Sequence, residues 1–458
     1  MPTSRGLRAV SPQGVLRPTA NRLLSIVATE QVAGRLPALV AGVVRAGELV
    51  WFGSHGSLVS RTGDAEPTAQ TQFRIGSITK TLTAMLVMQL RDVGLLDLSD
   101  RLEVHLPGVA YGDRTLRQLL SHSSGMQAEP RGTWWERSPG VSYDALAGTL
   151  DDSTAVFPVG ERFHYSNLAF ALLGEVVART TGTSWAAALE SRLLRPLGMH
   201  RTSTRPTDPV ASGFSIHAFA GTLTNEPAQD TRAMGPAGQV WSTVIDLTRY
   251  AAFLADPDPA VISPDTLREM TIAQSGVPDD ASGAYGLGLQ LARAESRTYV
   301  GHTGSMPGFL AGLFVDRARR TGAVCLANGT IGLRCQGLPL DLLRVLEEQE
   351  PSIPLAWEPV REVSAPVLEV LGLWHWGNTA ITFSYDGTAL VSKALGSREP
   401  WCILRSAGTD RFVGSSGYLD GETLEVVRRA DGSISHLEAA TFVFTRIPYD
   451  PEAPIPGG

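Results

Sequence analysis

Ser77 and Lys80 stand three residues apart in Gly76-Ser77-Ile78-Thr79-Lys80-Thr81, and Lys80 is one of only two lysines, with Lys393, among 39 basic side chains. Arginine serves wherever a permanent positive charge suffices, whereas a desolvated lysine can lose its proton near neutral pH and act as a base. A serine activated by such a base is a nucleophile for acyl transfer. Apolar residues at Ile78, Leu82, Met85, Leu86, Met88 and Leu90, with Gly94 as a C-terminal stop, predict a helix that opens at Ser77. Ser77 and Lys80 then share one face, at the helix end whose unpaired N–H groups and dipole favour negative charge on a substrate oxygen. Helix capping alone would account for Ser77 and leave Lys80 unexplained.

Two further clusters carry groups of the right kind. Phe163-His164-Tyr165-Ser166-Asn167 precedes a helical stretch over 168–180, and a phenol beside an ammonium group can ionise or relay a proton. Taken alone it is a buried tyrosine. Gly301-His302-Thr303-Gly304-Ser305 lies in a strand-like stretch, where Gly304 lets a substrate backbone approach and the Ser305 N–H can face an oxyanion. Taken alone it is a glycine turn with a satisfied histidine. The sequence contains no Gly-x-Ser-x-Gly elbow and no His-Glu-x-x-His.

Together, Ser-x-x-Lys, Tyr-x-Asn and His-Thr-Gly in that order resemble the penicillin-recognising serine hydrolases: class C β-lactamases, D-alanyl-D-alanine carboxypeptidases, D-aminopeptidases and related esterases. The likeness covers residues 20–345 and includes Leu119-Leu120-Ser121-His122-Ser123-Ser124-Gly125-Met126, Pro158-Val159-Gly160, Pro196-Leu197-Gly198-Met199 and Tyr285-Gly286-Leu287-Gly288. The resemblance implies that Ser77 is acylated, Lys80 deprotonates it, Tyr165 shuttles a proton to the leaving group, and Asn167 holds a substrate amide. It places the oxyanion hole at the N–H groups of Ser77 and Ser305, with His302, Thr303 and Gly304 beside the substrate. His302 departs from the pattern, which generally has a lysine there to bind a free substrate carboxylate; histidine is mostly neutral at pH 7, so that anchor is weakened.

These groups need a scaffold. A helical stretch from Asn21 leads into strand-like runs over 38–45 and 48–52 joined by Ala46-Gly47, a hairpin signal. Residues 77–250 are mostly helical in pattern, with helices expected over 168–180, 184–194 and 244–254, and strands return from 286 to 327 before an amphipathic helix over 338–349. Strands at both ends of a helical middle predict an α+β fold, an antiparallel sheet with a helical insertion, as in the β-lactamase/transpeptidase family. We expect a flexible leader over 1–20, a catalytic domain over 21–349, a proline-containing linker over 350–366, and a small β domain over 367–458. Short β runs with Asp386-Gly387 and Asp431-Gly432 turns mark that last domain. Its Gly372-Leu373-Trp374 opening and Phe444-Thr445-Arg446 ending resemble lipocalin-like barrels. Arg446 would either stack on Trp374 as a cation–π pair or reach the substrate.

Composition narrows the function. A net charge of −7 with no basic run argues against nucleic-acid or anionic-membrane partners. Three cysteines without Cys-x-x-Cys spacing indicate neither a disulfide framework nor a zinc site, and the thiols are expected reduced and buried; no metal or cofactor is called for. The N-terminal segment lacks the apolar stretch of a secretory signal, and no later run is long enough for a membrane span, so a cytoplasmic location is expected. A hydrolase with a lipocalin-like tail and no export signal looks most like the penicillin-binding-protein-type thioesterases of nonribosomal peptide assembly lines. That resemblance implies a peptidyl thioester substrate ending in a D-configured residue, presented by a carrier protein and released as a head-to-tail macrolactam. Trp134, Trp135 and Trp241 could line its pocket, or serve as core aromatics. The alternatives are an esterase or D-amino-acid peptidase using water, and a non-catalytic binding protein on the same scaffold.

Overall fold

The computed structural model describes residues 14–58, 65–276, 283–353 and 356–449. The chain divides into two compact units, Met1–Ser352 and Ile353–Gly458. In the first, helix α1 (Arg17–Gly34) begins earlier than the sequence pattern suggests, because Pro18 in its first turn sets the backbone for helix entry. It leads into β1 (Ala38–Arg45) and β2 (Glu48–Gly56). Ala46 and Gly47 join them with positive φ angles of 52° and 87°, the backbone that a tight hairpin requires. The other strands of the main sheet come late in the unit: β3 (Gly283–Tyr285), β4 (Gln290–Ala294), β5 (Arg297–Met306), β6 (Phe309–Asp316) and β7 (Thr321–Ala327). The seven form one antiparallel sheet in the order β2-β1-β7-β6-β5-β4-β3, with Ala41 opposite Cys325 where an early and a late strand of the unit pair.

Both faces of this sheet are covered, and the side-chain period of two sorts its residues between two cores. Leu39, Ala41, Val43, Phe314, Ala323 and Cys325 pack with Leu23 and Val27 of α1 and with Leu338, Leu342 and Leu346 of a C-terminal helix, Gly337–Gln349. Val40, Val44, Leu313, Val315, Val324 and Leu326 face the helical insertion. Its main elements are Ile78–Asp92, Asn167–Thr181 and Val244–Ala255. The stretch expected as one helix over 184–194 is a short α-helix, Trp185–Leu189, that widens into a π turn, Glu190–Leu194, with Arg195 N–H bonded to the Glu190 carbonyl at 3.0 Å. All three cysteines are free; Cys335 is only half-buried, against the expectation of burial.

The second unit is an antiparallel sheet of eight strands, each paired with the next, running from Gly372–Trp376 to Phe442–Phe444. His375 and Thr445 exchange N–H···O bonds of 2.7 and 2.9 Å between first and last strands, which nearly closes a barrel. Trp374, Phe383, Leu404, Phe412, Leu424, Leu437 and Phe444 fill its interior. Pro366, placed by sequence in the linker, instead starts a helix, Ala365–Val370, whose Val367 and Val370 join that core and whose Val370 carbonyl receives the Trp374 indole N–H at 2.7 Å.

Candidate active site

Ser77 immediately precedes the helix Ile78–Asp92 and makes no side-chain cap, so its hydroxyl is left for other partners. Lys80, one turn on, is fully buried. Its Nζ lies 3.0 Å from Ser77 Oγ, 2.6 Å from Asn167 Oδ1 and 2.7 Å from the Ala237 carbonyl. Burial pulls its pKa down to about 7, against the opposing pull of Glu129 and Glu136. A neutral amine has two N–H donors and one lone pair. Asn167 Oδ1 and the Ala237 carbonyl can only accept, so they consume both donors and the lone pair faces the Ser77 hydroxyl. This is the arrangement of a general base.

Tyr165 packs against the same ammonium position, with Lys80 Nζ 4.8 Å from its ring centroid. Desolvation pushes the phenol upward despite its hydrogen bond with Ser77, which favours the protonated hydroxyl over the phenolate. Its place is set by Ser166, which caps the helix Asn167–Thr181 by accepting the Ala169 N–H at 3.1 Å and anchors itself to the Gln127 carbonyl at 2.7 Å. His122 holds the same segment: its Nδ1 accepts the Ser166 N–H at 3.0 Å, its carbonyl accepts the His164 N–H at 2.8 Å, and its ring lies 4.3 Å from that of Tyr165.

Strand β5 delivers the other side of the site. A Cβ on Gly304 would stand 2.0 Å from the Ile75 carbonyl oxygen, and one on Gly76 (φ +52°) would stand 2.4 Å from Ser305 N. Only glycine at both positions lets β5 come this near, and the approach places the Ser305 backbone beside the residue that precedes Ser77. Thr303 is half-buried, held by Gln290 through its N–H at 3.0 Å and its hydroxyl at 3.3 Å.

His302 does not reach a substrate. It is 1% exposed. Its Nδ1 lies 2.5 Å from the Thr303 carbonyl, which makes that nitrogen the donor, and Nε2 accepts from the Tyr285 hydroxyl at 3.0 Å. Burial and nearby Lys80 hold its pKa near 3, so it is a neutral support between β3 and β5, not a weak ionic anchor. Trp241 is likewise core: 2% exposed, it stacks edge-on against Phe309 at 5.1 Å, which corrects its placement in the substrate pocket. Arg446 belongs to the second unit, where its guanidinium lies 3.8 Å over the Trp374 ring and bonds to the carbonyls of Leu371, Leu373 and Glu369. Of its two roles the structure displays the stacking one.

The structure thus joins Ser77, Lys80, Tyr165, Asn167, Thr303, Gly304 and Ser305. It adds groups that no motif announced, the Ala237 carbonyl, Glu129 and Gln290, and gives the phenol of Tyr285, which lies in a quoted motif, a role that the sequence did not assign. Ala237 sits in Gly235-Pro236-Ala237-Gly238, where a backbone carbonyl carries no sequence signal. Glu129 has no spacing signal at all. It accepts Asn167 Nδ2 at 2.6 Å and the Trp135 indole N–H at 2.7 Å. Trp134 is exposed and donates to Glu136 at 2.9 Å. Burial and Glu129 raise the Glu136 carboxyl.

A buried lysine aimed at a helix-entry serine, on a two-faced antiparallel sheet with a helical insertion, is an arrangement able to support serine acyl transfer. Residues 24–345 match the Beta-lactamase family model, and the chain belongs to that family of serine hydrolases and acyltransferases. Residues 363–446 match a domain of unknown function, DUF7586. The chain is 32% identical over 225 residues to penicillin-binding protein 4 of Amycolatopsis lactamdurans, covering 46% of this chain and 57% of that protein. It spans little more than half the length of the first curated relatives it matches. Among solved structures, SurE is similar at 27% identity and TM-score 0.59 over 94% of this chain and 99% of that one. A D-stereospecific amidohydrolase from Streptomyces is similar at 25% identity and TM-score 0.60, over 72% of this chain and 98% of that one.

Proposed function

We propose that the protein is a thioesterase and peptide cyclase that takes a nonribosomal peptidyl thioester with a D-configured C-terminal residue. The buried, neutral His302 carries this reading. Where related enzymes use a lysine to hold a free carboxylate, this position has a buried neutral histidine, and Glu129 and Glu136 near Lys80 further oppose an anionic acyl donor. An uncharged acyl carbonyl is the substrate such a site favours. Similarity to SurE over nearly the whole chain, including a structure of SurE with D-Leu, supports the D-configured residue.

In this scheme Lys80 takes the Ser77 proton as Oγ attacks the thioester carbon, and the Tyr165 hydroxyl protonates the departing sulfur. The proton on Lys80 then passes to Tyr165. The peptide's own amine next attacks the acyl carbon, the Oγ–C bond breaks, and the amine proton returns through Lys80 and Tyr165 to Ser77. We propose a cytoplasmic reaction with a carrier protein presenting the substrate. No helix among the described residues is long and apolar enough to cross a membrane.

The test is incubation with synthetic peptidyl thioesters ending in D- or L-residues, with mass spectrometry of products and of Ser77. A cyclic product from the D-series supports the proposal. Exclusive linear acid across a varied panel overturns cyclisation and favours the second reading, a D-selective amidase or esterase, for which the likeness to the D-stereospecific amidohydrolase speaks.

A further inference from the structure

We propose that Glu129, backed by Trp135, is a positioning residue that fixes which end of the Asn167 amide faces Lys80 and so keeps the lysine lone pair on Ser77. An asparagine amide can turn over, presenting either oxygen or nitrogen to a neighbour. A carboxylate accepts and never donates while ionised. Glu129 Oε1, 2.6 Å from Asn167, therefore demands the Nδ2 end, and the Oδ1 end must lie toward Lys80 Nζ, at 2.6 Å. Trp135 holds the other carboxylate oxygen at 2.7 Å, which keeps the glutamate itself from turning.

The consequence reaches the nucleophile. With Oδ1 toward Lys80, that contact takes one amine proton and the Ala237 carbonyl, at 2.7 Å, takes the other. Were the amide reversed, Nδ2 would donate to the lone pair, and Ser77 would lose its proton acceptor. The chain Trp135–Glu129–Asn167–Lys80–Ser77 is a relay of orientation in which the polarity of each contact fixes that of the next.

Glu129 has a second effect through its charge. The titratable groups facing Lys80 are Glu129 and Glu136 from the loop before the Tyr165 segment, Tyr165 itself, His122 from the turn after Leu116–Leu120, and His302 from β5; Arg74 faces Glu136. Of these, the two carboxylates raise the lysine pKa against its burial. Neutralising one must lower it.

The inference concerns acyl-serine formation alone and holds whether the second nucleophile is an amine or water. The experiment is the rate of Ser77 acylation by p-nitrophenyl butyrate, followed by intact mass from pH 5 to 9, in the wild type, Glu129→Gln and Trp135→Phe. A glutamine side chain is isosteric but can no longer dictate amide polarity. We expect the plateau rate of Glu129→Gln to fall at least tenfold while the acid limb moves to lower pH, and Trp135→Phe to show a smaller fall. A plateau loss with an unmoved acid limb means a merely structural role and overturns the proposal. So does an unchanged profile in folded Glu129→Gln. Cyclic or linear product from a peptidyl thioester is a separate readout, so either idea can fail without the other.

Discussion

The amine of Lys80 and the hydroxyl of Ser77 face each other at 3.0 Å inside a helix entry, with the remaining valences of the amine taken by Asn167 and Ala237. That geometry leaves the lone pair of a neutral amine free for the serine proton.

Conversion of Lys80 to arginine keeps a positive charge and removes the base, because a guanidinium does not give up its proton at usable pH. Lys80→Arg should lose Ser77 acylation by about three orders of magnitude or more, in the range that a general base supplies. Lys393→Arg should be nearly silent, since Lys393 Nζ meets only the Arg398 carbonyl at an exposed site, 3.1 Å away. Intact-protein mass spectrometry with circular dichroism decides between them; appreciable acylation in folded Lys80→Arg would falsify the assignment of the base.

Acylation should rise with pH through about 7, the value to which burial brings Lys80. The sign follows from the base being the neutral form, so the active fraction is small below that pH and complete above it. Stopped-flow acylation with a fixed ester across pH 5 to 9 measures it. A flat profile would mean that the lysine is already neutral throughout or is not the base.

Gly304→Ala adds a methyl that meets the Ile75 carbonyl oxygen at 2.0 Å, so β5 must move away from the backbone of Ile75 and Gly76 that leads to Ser77. We expect acylation to drop by about a hundredfold or more, the scale for a lost oxyanion donor, with the sheet core retained. Kinetics beside a thermal melt separate the two effects.

His302→Leu leaves the buried Tyr285 hydroxyl without its acceptor and should cost about 1–3 kcal/mol in chemical denaturation. The same histidine makes the native state acid-sensitive. Its pKa falls from 6.5 to about 3 on folding, so between those values the unfolded chain binds a proton that the native one refuses, and stability is lost as pH falls from 6.5. The Leu variant should show a shallower loss over this window, with the remaining slope owed in part to His122, whose pKa is also lowered by burial. An identical slope in both proteins would contradict the neutral assignment.

Arg446→Met removes a guanidinium that stacks on Trp374 and bonds to three carbonyls, and should destabilise the second unit by about 1–3 kcal/mol. Arg446→Lys should recover only part, because an ammonium cannot stack and fork in the same plane. Tryptophan fluorescence during denaturation of the full chain reports it.

The local order of the chain already determined much of this protein. Apolar periodicity marked the helix after Ser77 and the helix after Ser166, Ala46-Gly47 marked the first hairpin, and short motifs picked out Ser77, Lys80 and Tyr165, which folding brings together. Those features are local: they depend on residues a few positions apart and on backbone preferences that glycine, proline and capping serines impose. Tertiary structure alone decided the rest. Whether Tyr165 ionises or stays protonated depends on burial, and whether His302 meets substrate or Tyr285 depends on the pairing of β3, β4 and β5. Trp241 turned inward for a related reason, since Phe309 comes to it from a strand far along the chain. Glu129 and the Ala237 carbonyl left no trace in the sequence, because an acceptor 2.6 or 2.7 Å from its donor is made by folding together segments 38 and 157 positions apart.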